Sequence, residues 1–334
     1  MSKPATTILT VALIAALGAV APVNSTTTAS PGGERNARGA PFRAVDGRVC
    51  AQGITRKLQI LHSSDNESSF QDPNTLEEKI LNYAAVVDGL QEVARQECIP
   101  SAHITVGDHT IPGPFYQASA EASEFGAPGL ADIAMYNAMG VRANGMGNHE
   151  FDGGINEFAT MLASAAYPFL AVNLDFSKVR LEQGTPRIRI GRDGSRCDKN
   201  AGKVLKSCWM HIGTHRVGLI GRAPADFFNV IEDPDTNLPG LDFFGGRDEQ
   251  NQPVVSAVDQ VLEQVALLEG RGIRKIFLLD HAQDFTGDPL SANRLRGIDV
   301  IIAAGSTGFM AKPVADGPFN LLRPEDSAGA DYPT

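Results

Sequence analysis

Four stretches of this chain place metal-ligand or acid–base side chains directly behind a short apolar run. They are Ser63-Ser64-Asp65-Asn66-Glu67 after Leu58 to His62, Gly107-Asp108-His109 after Ala102 to Val106, Gly147-Asn148-His149-Glu150-Phe151-Asp152 after a short segment near Val141, and Asp280-His281 after Lys275 to Leu279. Singly, an Asp behind a strand is a turn former or helix cap, and a lone His is a surface or hydrogen-bonded residue. Repetition at four strand ends changes that reading, because packing does not call for Asp, Asn and His at one edge of one sheet. Carboxylates, a carboxamide and imidazoles make a mixed oxygen and nitrogen donor set suited to two divalent cations.

The elements that must position these groups read as an α/β fold. Leu58 to His62, Ala102 to Val106, Phe169 to Val172, Val217 to Ile220, Lys275 to Leu279 and Ile298 to Ala303 have the pattern of buried strands. Between them, Asn74 with Glu77 makes a capping-box-like start to a helix whose apolar face is Leu76, Ile80, Tyr83, Val87, Leu90 and Ala94. Val254, Val258, Val261, Val265 and Leu268 mark a second helix. Such alternation means helices covering buried sheet faces, with ligands bound beyond the carboxyl ends of the strands.

With 334 residues, 43% hydrophobic and 20% charged, the chain is globular in composition, and its formal charge of −10 without a Lys/Arg run argues against a nucleic-acid partner. Lys3, the apolar run from Ile8 to Val20 and the small residues after it predict a signal peptide over 1–25, hence export to a periplasmic or extracellular space. That run is too short for a stable membrane span. Residues 26–44 are expected to be a flexible linker and 45–316 the folded domain. Residues 317–334 form an irregular tail in this reading. Cys50, Cys98, Cys197 and Cys208 suit two disulfides, with Cys197 and Cys208 expected to close a hairpin loop. None sits in a Cys-x-x-Cys pair of the kind that binds zinc.

The series Asp65, Gly107-Asp108, Gly147-Asn148-His149-Glu150-Phe151-Asp152 and His281 resembles the metallophosphoesterase (calcineurin-like) superfamily in its 5'-nucleotidase-like branch, over nearly all of Leu58 to Ala304. The resemblance implies a four-layer α/β/β/α sandwich of two mixed sheets and two divalent metal ions. Asp108 would bridge them, Asp65 would bind one, and Asn148 and His281 the other. His149, oriented by Asp152, would stand beside the phosphoryl group of a small phosphate ester such as a nucleotide. Two cations can acidify a water and neutralise charge building on phosphoryl oxygens, and His149 can then protonate the leaving oxygen.

The family's first motif is Asp-x-His, whereas here Glu67 stands at the imidazole position and remains a candidate ligand. Its last motif, Gly-His-x-His or a relative, is replaced by Gly305-Ser306-Thr307-Gly308. These changes harden the donor set and favour magnesium, manganese or calcium relative to zinc. His109 is either a compensating ligand or a hydrogen-bonding neighbour of the site, the second being preferred. Asn173 and Ser306 are candidate substrate contacts or supports, with turn capping an equal reading for Asn173. The separate nucleoside-binding domain usual in such nucleotidases finds no room before Thr334. Two other readings stand beside phosphoester hydrolysis: a domain that binds metal or phosphate without turnover, and a periplasmic solute-binding protein.

Overall fold

The computed structural model describes residues 57–70, 79–282 and 294–305. The leader, the linker, Cys50, the Asn74–Glu77 helix start, Ser306 and the tail lie outside the described residues.

In chain order the elements are β1 (Gln59–Ser63), α1 (Lys79–Gln96), β2 (Ser101–Val106), α2 (Pro114–Glu121), α3 (Leu130–Ala138), β3 (Val141–Gly145), α4 (Gly154–Ser164), β4 (Phe169–Leu170), β5 (Leu174–Asp175), β6 (Ser195–Arg196), β7 (Val204–Leu205), β8 (Ser207–Ile212), β9 (His215–Arg222), the one-turn helices α5 (Phe227–Val230) and α6 (Pro234–Asn237), β10 (Asp242–Phe243), α7 (Ala257–Gly270), β11 (Lys275–Asp280) and β12 (Val300–Ala303). They form two five-stranded sheets, ordered β1-β2-β3-β4-β7 and β12-β11-β9-β8-β6, and a small β10-β5 pair.

The first sheet is parallel throughout, and the second is mixed because β8 runs antiparallel to β9. A parallel neighbour requires a long crossover, and here the crossovers are α1, then α2 with α3, then α4. Tyr83 and Val87 of α1, Ile133 and Tyr136 of α3, and Ile155, Phe158 and Leu162 of α4 form one core on the outer side of this sheet. Its inner side, with Ile104, Val106, Ala143 and Leu170, meets Met210, Leu219, Phe277 and Leu279 of the second sheet. Beyond that sheet, α7 buries Val258, Val261, Val265 and Leu268 against Ile220, Ile276 and Leu278. Each such side chain contributes roughly 1.5–3 kcal/mol over its exposed state. The layers are therefore α/β/β/α, as expected. Within them only one of the two five-stranded sheets is mixed, since the outer helices return β2, β3 and β4 parallel to β1, and β7 joins β4 in the same direction.

Two local expectations need correction. Val254 is exposed and precedes α7, which begins only after Ser256. Cys197 and Cys208 are disulfide-bonded, with Cα atoms 5.1 Å apart, yet they close no hairpin, because β6 and β8 run parallel. The chain leaves the second sheet after β6, lends β7 to the edge of the first and returns as β8. The disulfide thus fastens a crossover between sheets. Cys98 is disulfide-bonded as well.

Candidate metal centre

All five strands of the first sheet end at the same edge, and so do β9, β11 and β12 of the second, because these eight run parallel within their sheets. The turns after β1, β2, β3 and β11 carry the predicted residues. Asp65, Asp108 and His281 offer ligand atoms within 4.8 Å of one another, and Glu67, Asp108 and His149 form a second such group. Asp108 belongs to both. Asn148 is buried at the end of the β3 turn, immediately before a 3-10 turn at His149–Phe151. The structure thus groups Asp65 and His281 with Asp108, and Glu67 and His149 with the same Asp108.

Backbone conformation concentrates at the same place. Asp65, Glu67, Ser68 and Asp108 all have positive φ, between 48° and 54°. Left-handed backbone costs an ordinary residue roughly 1–2 kcal/mol, so the packing around these turns must over-determine it. The β1 and β2 turns are laced together by Asp65 N–H to Gly107 O, Glu67 N–H to Asp108 O and Ser68 N–H to His109 O.

The imidazoles are held in fixed orientations. His281 is fully buried; its Nδ1 lies 2.7 Å from the Val106 carbonyl, which must accept, and its Nε2 lies 2.8 Å from Asp108 Oδ2. Burial pulls its pKa down, but the charge and hydrogen bond of Asp108, with Asp65 behind, outweigh that and hold it at about 10. Burial likewise pulls His149 down, while its 2.6 Å hydrogen bond to Asp152 and the charges of Asp108, Asp152 and Glu67 bring it to about 9. Burial pushes Glu67 up, and Asp108, Asp65 and Asp152 add to the push against the opposing charge of His149. Crowded carboxylates facing oriented imidazoles are a donor set that fits divalent cations.

A cation at His281 must displace its proton. In the metal-free chain that proton is held up to about pH 10, so below that pH binding releases it and affinity rises with pH. Mn2+ titration calorimetry at pH 6.5 and 8.5, in buffers of different ionisation enthalpy, is expected to show tighter binding at the higher pH and proton release at both.

No family model matches the chain. Mouse 5'-nucleotidase is 25% identical over 263 residues, covering 76% of this chain and 38% of that protein. The 5'-nucleotidase of Diplobatis ommata is 26% identical over 214 residues, 62% of this chain and 30% of that protein. Among solved structures, the 5'-nucleotidase precursor of Thermus thermophilus superposes with a TM-score of 0.57 at 21% identity, over 80% of this chain and 45% of that one. Haemophilus influenzae NAD nucleotidase gives a TM-score of 0.52 at 18% identity, over 74% and 38%. Both of these sequence relatives are 5'-nucleotidases, and the fold of this chain is that of solved 5'-nucleotidase structures. The chain spans less than half the length of each of these proteins.

Within this fold, the supports of the site are as specific as the ligand groups. Glu150 is buried, and its carboxylate accepts from the backbone N–H groups of Asp108, His109 and Gly147 and from Asn144 Nδ2. One side chain therefore pins the β2 and β3 turns to each other. Asn144 completes the bracket by accepting from Gly107 N–H and Thr105 Oγ1. Asp280 gives both oxygens to Arg222 in a buried bidentate pair, and His281 N–H donates to Arg222 O, which fixes where β11 delivers the imidazole.

His109 and Asn173 turn inward. The His109 ring stacks on Tyr136 with centroids 3.9 Å apart, its Nδ1 meets Tyr167 Oη, and burial holds it neutral with a pKa of about 3. It belongs to neither ligand group. Asn173 donates to Ala223 O and accepts from Ala223 N–H, stapling the end of β4 to the end of β9. Gly305 N–H donates to Asp65 Oδ2.

Two glycines make the close approach possible. Gly107 has φ +77°, and a Cβ there would stand 2.4 Å from Gly147 N and 2.6 Å from His281 Nδ1, while a Cβ on Gly147 would meet Asp108 Oδ1 at 2.1 Å. Gly107→Ala combines left-handed strain with overpacking against backbone, an expected loss of about 2–5 kcal/mol in denaturant unfolding, accompanied by weaker Mn2+ binding. Wild-type stability and affinity in that variant would show that the turns are not in contact.

Proposed function

We propose that this chain is an exported, metal-dependent phosphomonoester hydrolase acting on nucleotides or similar small phosphate esters. The observation that supports this reading best is the convergence of two ligand groups on one shared carboxylate, Asp108, beside the hydrogen-bonded His149–Asp152 pair. Similarity to 5'-nucleotidases supports the substrate class. No helix among the described residues is long and apolar enough to cross a membrane.

In this reading Asp65, Glu67, Asp108, Asn148 and His281 hold two divalent ions, which when bound would polarise the phosphoryl oxygens and acidify a water for attack on phosphorus. Everything else falls to the chain's own groups. Asp152 fixes the His149 ring through Nδ1, leaving Nε2 directed away from that partner, and its carboxylate favours the protonated ring that would give a proton to the departing alkoxide. Val106 O fixes His281 through Nδ1 and turns its Nε2 toward Asp108. Glu150 keeps Asp108, His109 and Gly147 in register while the negative charge of the substrate arrives.

The donor set is rich in oxygen, so manganese or magnesium is expected to support activity better than zinc. Protein purified without chelator should hydrolyse a chromogenic phosphate monoester and a nucleoside monophosphate when Mn2+ or Mg2+ is supplied, and lose that activity with EDTA. Stoichiometric, tightly held zinc on metal analysis would overturn the preference. Metal binding with no hydrolysis of any ester would overturn the enzyme in favour of a binding domain.

A further inference from the structure

Asn66 lies between the two ligand candidates of the first motif, and its side chain points away from them. Three of the four residues of its turn, Asp65, Glu67 and Ser68, are left-handed without being glycine. Asn66 itself is buried, and its Nδ2 donates to Tyr136 Oη at 2.8 Å and to Ser63 Oγ at 3.3 Å. Ser63 Oγ is 2.6 Å from Tyr83 Oη, Tyr83 Oη is 2.9 Å from His103 Nε2, and His103 Nδ1 is 3.3 Å from the Met139 carbonyl. An amide nitrogen only donates and a carbonyl only accepts, so one arrangement uses every hydrogen. Asn66 donates to Ser63, Ser63 to Tyr83, Tyr83 to His103 Nε2, and His103 Nδ1–H to Met139 O. Buried networks with every member satisfied are rigid. Tyr136 adds a second tie, because its ring also stacks under His109, next to Asp108. The β1 and β2 turns, which supply three of the ligand carboxylates, thus rest on the same tyrosine of α3.

We propose that Asn66 is a positioning residue for the metal centre: its carboxamide, anchored on Tyr136 and on the Ser63–Tyr83–His103 chain, holds the strained turn in the one shape that brings Asp65 and Glu67 to Asp108. The inference rests on the metal-dependent reading above. It predicts that the turn without its anchor relaxes toward ordinary backbone and carries both carboxylates off the site.

The test is Mn2+ titration of the full chain by calorimetry, with thermal unfolding of the metal-free protein measured alongside. Asn66→Leu, folded by circular dichroism, is expected to bind Mn2+ at least about 10-fold more weakly, the range seen when a support of a metal ligand is lost. Tyr136→Phe, which keeps the ring and its stacking, is expected to weaken binding less, and the double variant to bind no more weakly than Asn66→Leu alone. Val261→Ala in α7, destabilised but remote from the turn, is the control and keeps wild-type affinity. Wild-type affinity in folded Asn66→Leu overturns the proposal. If Asn66→Leu does not fold, Tyr136→Phe decides, a clear loss of affinity supporting the proposal and an unchanged one overturning it. A wild-type chain that binds no Mn2+ would overturn the metal reading and this inference with it.

Discussion

Replacing Asp108 by Asn is expected to abolish activity and to disable both ligand groups at once, which no other single substitution among Asp65, Glu67, His149 and His281 can do. Asp108 is the one residue common to the two groups. Its burial alone would raise its pKa, but the charge and hydrogen bond of His281, with help from His149, hold it below the ordinary aspartate value. The carboxylate is therefore kept ionised in a place where water cannot solvate it, and an isosteric amide keeps the shape while removing the charge. Losing a mere support of a metal ligand costs about 10–100-fold in affinity, so loss of a shared ligand is expected to exceed about 100-fold for Mn2+ and to leave hydrolysis below detection. Calorimetry on Asp108→Asn, beside Asp65→Asn as a variant touching one group only, checks this. Two ions still bound to Asp108→Asn with near-native affinity would show that the groups do not share a ligand.

The strands that carry the site were legible because a strand buried on both faces is mostly apolar: Ile276 to Leu279 is a continuous apolar run, and in Ala102 to Val106 only His103 and Thr105, both buried and hydrogen-bonded, interrupt it. Helix α7 was legible from its spaced valines. Elements whose apolar residues do not repeat at one clear period were missed. Helices α2 and α3 belong here, since they mix Tyr, Ser and Asp into buried positions, and so does β7, two residues long and visible only as the partner of β4. For the Cys197–Cys208 loop, sequence proximity suggests the antiparallel pairing of a hairpin. Only the tertiary exchange of β7 into the other sheet reveals a parallel crossover.

For the site, residue type at a strand end was enough to bring Asp65, Glu67, Asp108, His149 and His281 forward, since each turn leaves its side chains at the edge where the sheets meet. What the sequence did not separate was ligand from scaffold. Glu150 stands next to His149 and carries the same chemistry as Glu67, yet it is buried against backbone N–H groups while Glu67 faces the ligand cluster. Asn144 offered a signal of its own: a carboxamide inside a buried strand must find hydrogen-bond partners, and those partners turn out to be Gly107, Thr105 and Glu150. Asn173 and His109 follow strands as the ligands do, but Ala223 and the Tyr136 and Tyr167 rings claim them.

Substitution of His149 separates acid–base assistance from metal ligation, because the ring is placed to do either: it belongs to the group with Glu67 and Asp108, and it is also clamped by Asp152. A ligand must be unprotonated, whereas a general acid must carry its proton at working pH, and Asp152, which belongs to neither ligand group, favours the protonated His149 ring through its hydrogen bond to Nδ1. His149→Ala is accordingly expected to lower kcat about 10²–10⁴-fold with KM and Mn2+ affinity changed only a few-fold. Asp152→Asn should reproduce part of that loss, since the imidazole stays but its orientation and its proton are no longer secured by a charge. The dependence on leaving group gives the sharper check. An ester whose alcohol is already acidic, such as a nitrophenyl phosphate, needs little protonation on departure and should suffer less from His149→Ala than a nucleoside monophosphate does. Equal losses on both substrates, together with a matching fall in Mn2+ affinity, would reassign His149 to the metal.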